Sequence, residues 1–169
     1  MSTSVPPLKT SCHCNAIVVT TTHPPEFLNE CQCSLCRRHG AQWAYYYHDK
    51  DGHGIKVNSI EVTDYRVRED GKMEAGGEDR TSSATSVLPT KTYSWGDDEE
   101  WFVFCEKCGC LMFWYPQKSV AEGGNRKMGI NARMVNDPMS LRFVEKRITW
   151  AYAMATKKGV YDENGPIRQ

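Results

Sequence analysis

The segment CQCSLCRRHG, residues 31–40, places Cys31, Cys33 and Cys36 close together and follows them with Arg37, Arg38 and His39. Thiols at this spacing serve as metal ligands or as a redox pair, because the thiolate is both the metal donor and the nucleophile. Two further clusters, SCHC with Cys12 and Cys14 and CEKCGC with Cys105, Cys108 and Cys110, bring the total to eight cysteines. Zinc takes four thiolates tetrahedrally at about 2.3 Å, and close pairs from two distant loops are the usual way to assemble them. Cys12 and Cys14 joined to Cys105 and Cys108 would make a structural zinc site. Such a site ties the start of the domain to its later strands and contributes directly to folding free energy.

Cys31, Cys33 and Cys36 then form a second set. Three ligands from one turn are the donor pattern of a catalytic zinc whose fourth position is left to water or substrate. Cys110 can be read in two ways: it closes this second set as a four-cysteine site, or it is a small buried apolar residue. Its place in the loop of Cys108 favours the open triplet. A thioredoxin-like redox pair of Cys33 and Cys36 fits less well, since that motif opens a helix in a βαβ setting and this chain is rich in strand signals. Arg37 and Arg38 either keep thiolates deprotonated and receive a substrate carboxylate on the guanidinium fork, or form an exposed basic helix face. His13 and His39 adjoin the clusters and read as solvated or supporting residues rather than ligands. His23, His48 and His53 read as loop or strand-end residues.

The elements that must position these groups are mostly strands. AIVVTTT after the first cluster, WAYYYH at 43–48, IEVTDYRV at 60–67, WFVFC at 101–105 and LMFWYP at 111–116 are β-branched or aromatic runs of strand length. LRFVEKRITW at 141–150 partly alternates apolar and polar residues, as a half-buried strand does. Helical periodicity is weak, apart from a short helix expected from a Ser34 cap through LCRRH to a stop at Gly40. That helix would aim amide N–H groups at the thiolates and lower their pKa. Aromatics in WAYYY and MFWY read as core or pocket wall, because no basic surround accompanies them for nucleic-acid stacking. The segment 69–86 is polar and rich in Gly and Ser and reads as a long surface loop, and the tail at 151–169 as a helical turn or two that frays.

A chain of 169 residues suits a single domain, 1–169, with a core at about 10–150, and can bury that core without disulfides. Lys and Arg number 21 against 21 Asp and Glu, so no basic field draws in nucleic acid or an anionic membrane. MSTSVPPLKT lacks an apolar run and no stretch approaches the roughly 20 apolar residues of a membrane span. A soluble, cytoplasmic chain is expected, in a reducing compartment where clustered thiols bind metal or do chemistry rather than cross-link.

Taken together, SCHCNAI, CQCSLCRRHGA, FCEKCGC and MGINARMVND resemble the family of glutathione-dependent formaldehyde-activating enzymes and centromere protein V, in order and spacing over about residues 12–150. The resemblance implies a mainly β domain of twisted antiparallel sheets folded over each other like a tent, with few short helices. It implies two zinc ions per chain: a structural one on Cys12, Cys14, Cys105 and Cys108, and one on Cys31, Cys33 and Cys36 that is responsible for activity. The implied reaction is that of S-(hydroxymethyl)glutathione synthase, a carbon–sulfur lyase, with glutathione as co-substrate and formaldehyde as the carbonyl. Asn15 stands where glycine is frequent in the family, Met134 where many members have cysteine, and the region 69–100 is longer than in compact members; none of these removes a zinc ligand.

An enzyme adding or eliminating a small-molecule thiol at a small carbonyl substrate is therefore expected. Three thiolates make zinc a weak Lewis acid, which favours activating a bound thiol over generating hydroxide. The alternative is a non-catalytic, zinc-stabilised interaction module, as centromere protein V suggests. Nucleic-acid or cytoskeletal binding by such a module would call for a basic extension, and the neutral charge balance argues against one.

Overall fold

Runs of Val, Ile, Thr and aromatic residues become strands because their branched or flat side chains pack well on a pleated, half-buried surface. In the computed structural model, residues 5–47, 54–75, 86–94, 100–117 and 127–149 are described, with two short strand segments at 161–162 and 165–166. A four-stranded sheet forms from β1 (Lys9–Ser11) and β2 (Val18–Thr21) at one edge. After β3 (Leu28–Cys31), the helix α1 (Ser34–Arg38) and β4 (Trp43–Tyr47), the chain returns to complete that sheet with β5 (Ile55–Val57) and β6 (Ile60–Glu61). A three-stranded sheet follows from β7 (Tyr65–Val67), β8 (Met73–Ala75) and β9 (Ser86–Val87).

The largest sheet positions the chemistry. It adds β10 (Thr90–Tyr93), β11 (Glu100–Cys105), β12 (Leu111–Pro116), β13 (Lys127–Asn131) and β14 (Lys146–Thr149), in the spatial order β10-β11-β12-β13-β4-β3-β14. All of its pairings are antiparallel except β14 against β3, where Lys146 lies beside Leu28 and Thr149 beside Cys31. Trp43, Tyr46, Met112, Phe113, Met128 and Ile130 from its central strands are nearly inaccessible and belong to one core that runs from Leu8 to Val144. The fold is thus mainly β with antiparallel sheets. Among the described residues α1 is the single α-helix, and no helix is long and apolar enough to cross a membrane.

The late segment MGINARM acts as a clasp. Gly129 lies opposite Trp114, and a Cβ there would fall 2.1 Å from the indole Nε1, so only glycine lets this ring cross the strand. Asn131, fully buried, donates from Nδ2 to the Leu111 carbonyl at 2.8 Å, and its Oδ1 accepts from the N–H groups of Gln42 and Arg133. One side chain so joins β12, the start of β4 and the turn after β13. Beyond it, the Asn136 N–H bonds to the Lys9 carbonyl and Asn136 Oδ1 accepts from Ser11, which fixes β1 and the cysteine turn that follows it.

Three expectations need correction. Residues 60–67 are not one strand: a 3-10 turn at Val62–Asp64 divides β6 from β7, so the chain leaves one sheet and enters another. Only Lys146–Thr149 of 141–150 is strand, and all four residues are exposed, because β14 is the edge of its sheet; Pro138–Leu141 forms a 3-10 turn instead. Within the anticipated loop at 69–86, Met73–Ala75 is a strand with Met73 and Ala75 buried, pairing with β7. Residues 76–85 of that loop, the tail at 151–160, His48 and His53 lie outside the described residues.

Candidate metal centres

The first cysteine pair sits in the turn between β1 and β2. Cys12 N–H bonds to the Ile17 carbonyl, Asn15 N–H to the Cys12 carbonyl, and Asn15 adopts φ +57°. That left-handed conformation is one asparagine accepts where most side chains do not, which explains why it can stand at this position. The second pair lies in the turn from β11 to β12, where Gly109 at φ +73° donates to the Cys105 carbonyl and Cys105 N–H bonds to the Cys110 carbonyl.

The sulfurs of Cys12, Cys14, Cys105 and Cys108 all lie within 4.8 Å of one another. Cys14 Sγ is 3.6 Å from both Cys12 Sγ and Cys105 Sγ. Zinc with bonds of about 2.3 Å needs tetrahedral sulfurs about 3.8 Å apart. The four donors therefore fit such an ion. Two thiols of the group hold their protons unequally: the Cys110 backbone N–H, first among its contacts, brings the Cys108 thiol down to about 5, whereas burial pushes Cys105 up to about 12.

Cys31, Cys33 and Cys36 form a second group within the same 4.8 Å limit. Cys31 ends β3, Cys33 caps α1, and Cys36 is the buried residue of that helix. The cap is Cys33 rather than Ser34: its sulfur accepts the Cys36 N–H at 3.4 Å. A cysteine sulfur thus takes the position that serine usually fills, satisfying a free helix N–H while facing its two companions. Gly40, at φ +60°, turns the chain back into β4 as anticipated. The three thiols hold protons unequally. Hydrogen bonding with Cys31 brings Cys33 down to about 2, while contact with Cys33 pushes Cys31 up to about 11 and contact with Cys31 pushes Cys36 higher still.

Cys110 belongs to neither group of sulfurs. It lies against Cys108 and the His13 backbone, beside the four-cysteine cluster, and its thiol is raised by burial. Among the described residues, no fourth Cys, His, Asp or Glu joins the triplet. His39 packs on Phe104 with ring centroids 5.2 Å apart and His23 on Tyr46 at 5.2 Å, so both serve as packing groups. Arg37 and Arg38 lie exposed on α1; Arg38 bonds back to the Ser34 carbonyl at 3.0 Å.

Sequence reading missed the groups that surround the triplet. The buried Trp43 indole N–H donates to Cys36 Sγ at 3.1 Å. On the same face of the sheet, Asn29 donates from Nδ2 to the Tyr45 hydroxyl and accepts from the Thr149 hydroxyl at 2.7 Å. Strand alternation puts Asn29 on the side of β3 that carries Cys31. Burial pushes the Tyr45 phenol up to about 12. The available signal was Asn29 itself, an amide type depleted in strands yet placed two residues before Cys31.

No protein-family model and no curated protein matches the chain. Among solved structures, the crystal structure of a Rhodobacter sphaeroides protein, a structural genomics target, is similar at a TM-score of 0.47 and 20% identity, over 83% of this chain and 100% of that one.

Proposed function

We propose that the chain is a zinc-dependent enzyme of the carbon–sulfur lyase type, similar to S-(hydroxymethyl)glutathione synthase, that adds or eliminates a thiol such as glutathione at a small carbonyl. The observation that carries this reading is the difference between the two clusters: four sulfurs converge at one and three at the other, with no further donor among the described residues. The first donor set suits a structural zinc; the second suits an ion with one position for substrate. A zinc ion held by Cys31, Cys33 and Cys36 would supply an electrophilic position for a thiol sulfur or a carbonyl oxygen.

The remaining work falls to the chain's own groups. Cys31 is partly exposed and gives access from solvent, while Cys33 and Cys36 are buried and hold the site rigid. Trp43 keeps the Cys36 sulfur in place by donating to it. The Asn29, Tyr45 and Thr149 network sets a fixed polar wall beside Cys31, so that a bound carbonyl and thiol meet with less loss of orientational freedom. Arg37 is the better placed of the two arginines to receive a substrate carboxylate, since Arg38 is engaged by Ser34. Free thiols of this number suit a reducing compartment such as the cytoplasm.

The test is thiol-dependent turnover over a panel of small aldehydes, each rate set against the uncatalysed combination, with Cys36→Ser as the control. Turnover above background that is lost in Cys36→Ser supports the enzyme. A flat panel from protein carrying both metals would support a zinc-stabilised interaction module instead.

A further inference from the structure

Leu28, which alternation places on the opposite face of β3 from Asn29 and Cys31, lines a cavity of about 260 Å³. Arg133, Arg142 and Lys146 converge on it from the turn after β13, the segment before β14 and β14 itself, while Leu28 and Leu141 supply apolar walls. No acidic side chain lines it. Among the described residues, none of the three cations makes an ion pair. The two nearest carboxylates in sequence are engaged elsewhere: Glu145 grips Arg147 at 2.7 and 3.0 Å, and Asp137 accepts the Met139 N–H at 3.0 Å.

Gln42 also lines the cavity and is only 6% exposed. Its backbone is committed, the N–H to Asn131 and the carbonyl to Ala132. Its carboxamide has no hydrogen bond among the described residues. The fully buried side-chain polar atoms without a partner among the described residues are Thr10 Oγ1, Glu61 Oε2 and Thr92 Oγ1, so the Gln42 amide is not closed off and is open to a ligand in the cavity. Here the amide faces a space ringed by three cations.

We propose that this cavity binds a small organic carboxylate. The carboxylate meets the guanidinium groups of Arg133 and Arg142 and the Lys146 ammonium, the Gln42 amide bonds one of its oxygens, and a short apolar body rests on Leu28 and Leu141. Planar guanidinium forks match a carboxylate, and the apolar walls offer no partner to the additional oxygens of a phosphate. The site stands independently of any chemistry at the cysteine triplet.

Calorimetric titration of the zinc-loaded full chain with hexanoate, hexanamide and inorganic phosphate tests it, in the wild type and in Arg133→Gln, Arg142→Gln and Cys36→Ser. The side chains of Arg133 and Arg142 are exposed, so both variants should keep the wild-type melting curve. Saturable hexanoate binding is expected, weaker by about tenfold or more in each arginine variant, as loss of one charged hydrogen bond implies. Hexanamide should not compete, phosphate should bind more weakly, and Cys36→Ser should bind hexanoate as the wild type does. Hexanoate binding that is absent, indifferent to both arginines or matched by hexanamide would overturn the proposal. Tighter binding of phosphate would refute the carboxylate assignment, and loss of hexanoate in Cys36→Ser would move the ligand to the metal triplet.

Discussion

Trp43→Phe separates the role of a single N–H from that of the ring that carries it. The indole is 1% exposed, its Nε1–H donates to Cys36 Sγ at 3.1 Å, and its ring packs on Phe102 with centroids 6.3 Å apart. Phenylalanine keeps an aromatic surface against Phe102 and removes the donor. A hydrogen bond to a charged acceptor contributes about 1.5–3 kcal/mol. At about 1.4 kcal/mol per decade, this predicts metal affinity at the triplet roughly 10- to 100-fold weaker, the range found when partners of metal ligands are removed. The assay is zinc release to a chromogenic chelator, in which the four-cysteine cluster serves as an internal reference. The triplet step should move and the reference step should not. A triplet step at the wild-type chelator concentration would refute the reasoning, as would an equal shift of both steps, which would signal a general loosening of the fold.

Three other outcomes follow from the geometry. Cys105→Ser removes a buried ligand that joins β11 to the turn after β1; zinc should fall by one per chain and the melting temperature should drop, read by metal analysis and calorimetry. Gly129→Ala forces a Cβ to within 2.1 Å of the Trp114 ring, so urea unfolding should show a loss of about 1–3 kcal/mol. Tyr65 donates to the Val57 carbonyl at 3.0 Å, and burial raises its phenol from 10.0 to about 12. The folded state therefore holds this proton more tightly than the unfolded one, and the associated stability is complete below pH 10 and lost as pH rises to about 12. Denaturation curves across that window should slope less steeply in Tyr65→Phe.

Local chemistry made most of the strands and both cysteine clusters legible in sequence. Aromatic and β-branched runs such as WAYYY and LMFWYP need only the pleat to find their place, and cysteines two or three residues apart can face one ion from a single turn. Long-range packing accounts for what was missed. Residues 60–67 carry strand composition throughout, yet the chain must turn at Val62–Asp64 to change sheets. The alternation in 141–150 suggests a half-buried strand, whereas β14 lies parallel at an edge with Ile148 61% exposed. Ser34 looked like the helix cap by residue type, but the sulfur of Cys33 holds that position, accepting the Cys36 N–H at 3.4 Å. Trp43 and Asn29 could not be tied to the triplet without knowing that β3 and β4 pair with Asn29 beside Trp43.

Zinc per chain, measured on protein purified without chelator for the wild type and Cys36→Ser, tests most directly whether Cys31, Cys33 and Cys36 form a metal site separate from the four-cysteine cluster. The account predicts two zinc ions in the wild type and one in Cys36→Ser, with the circular dichroism spectrum unchanged. One zinc in both proteins would contradict it, leaving the triplet as a set of thiols and the proposed chemistry without its metal.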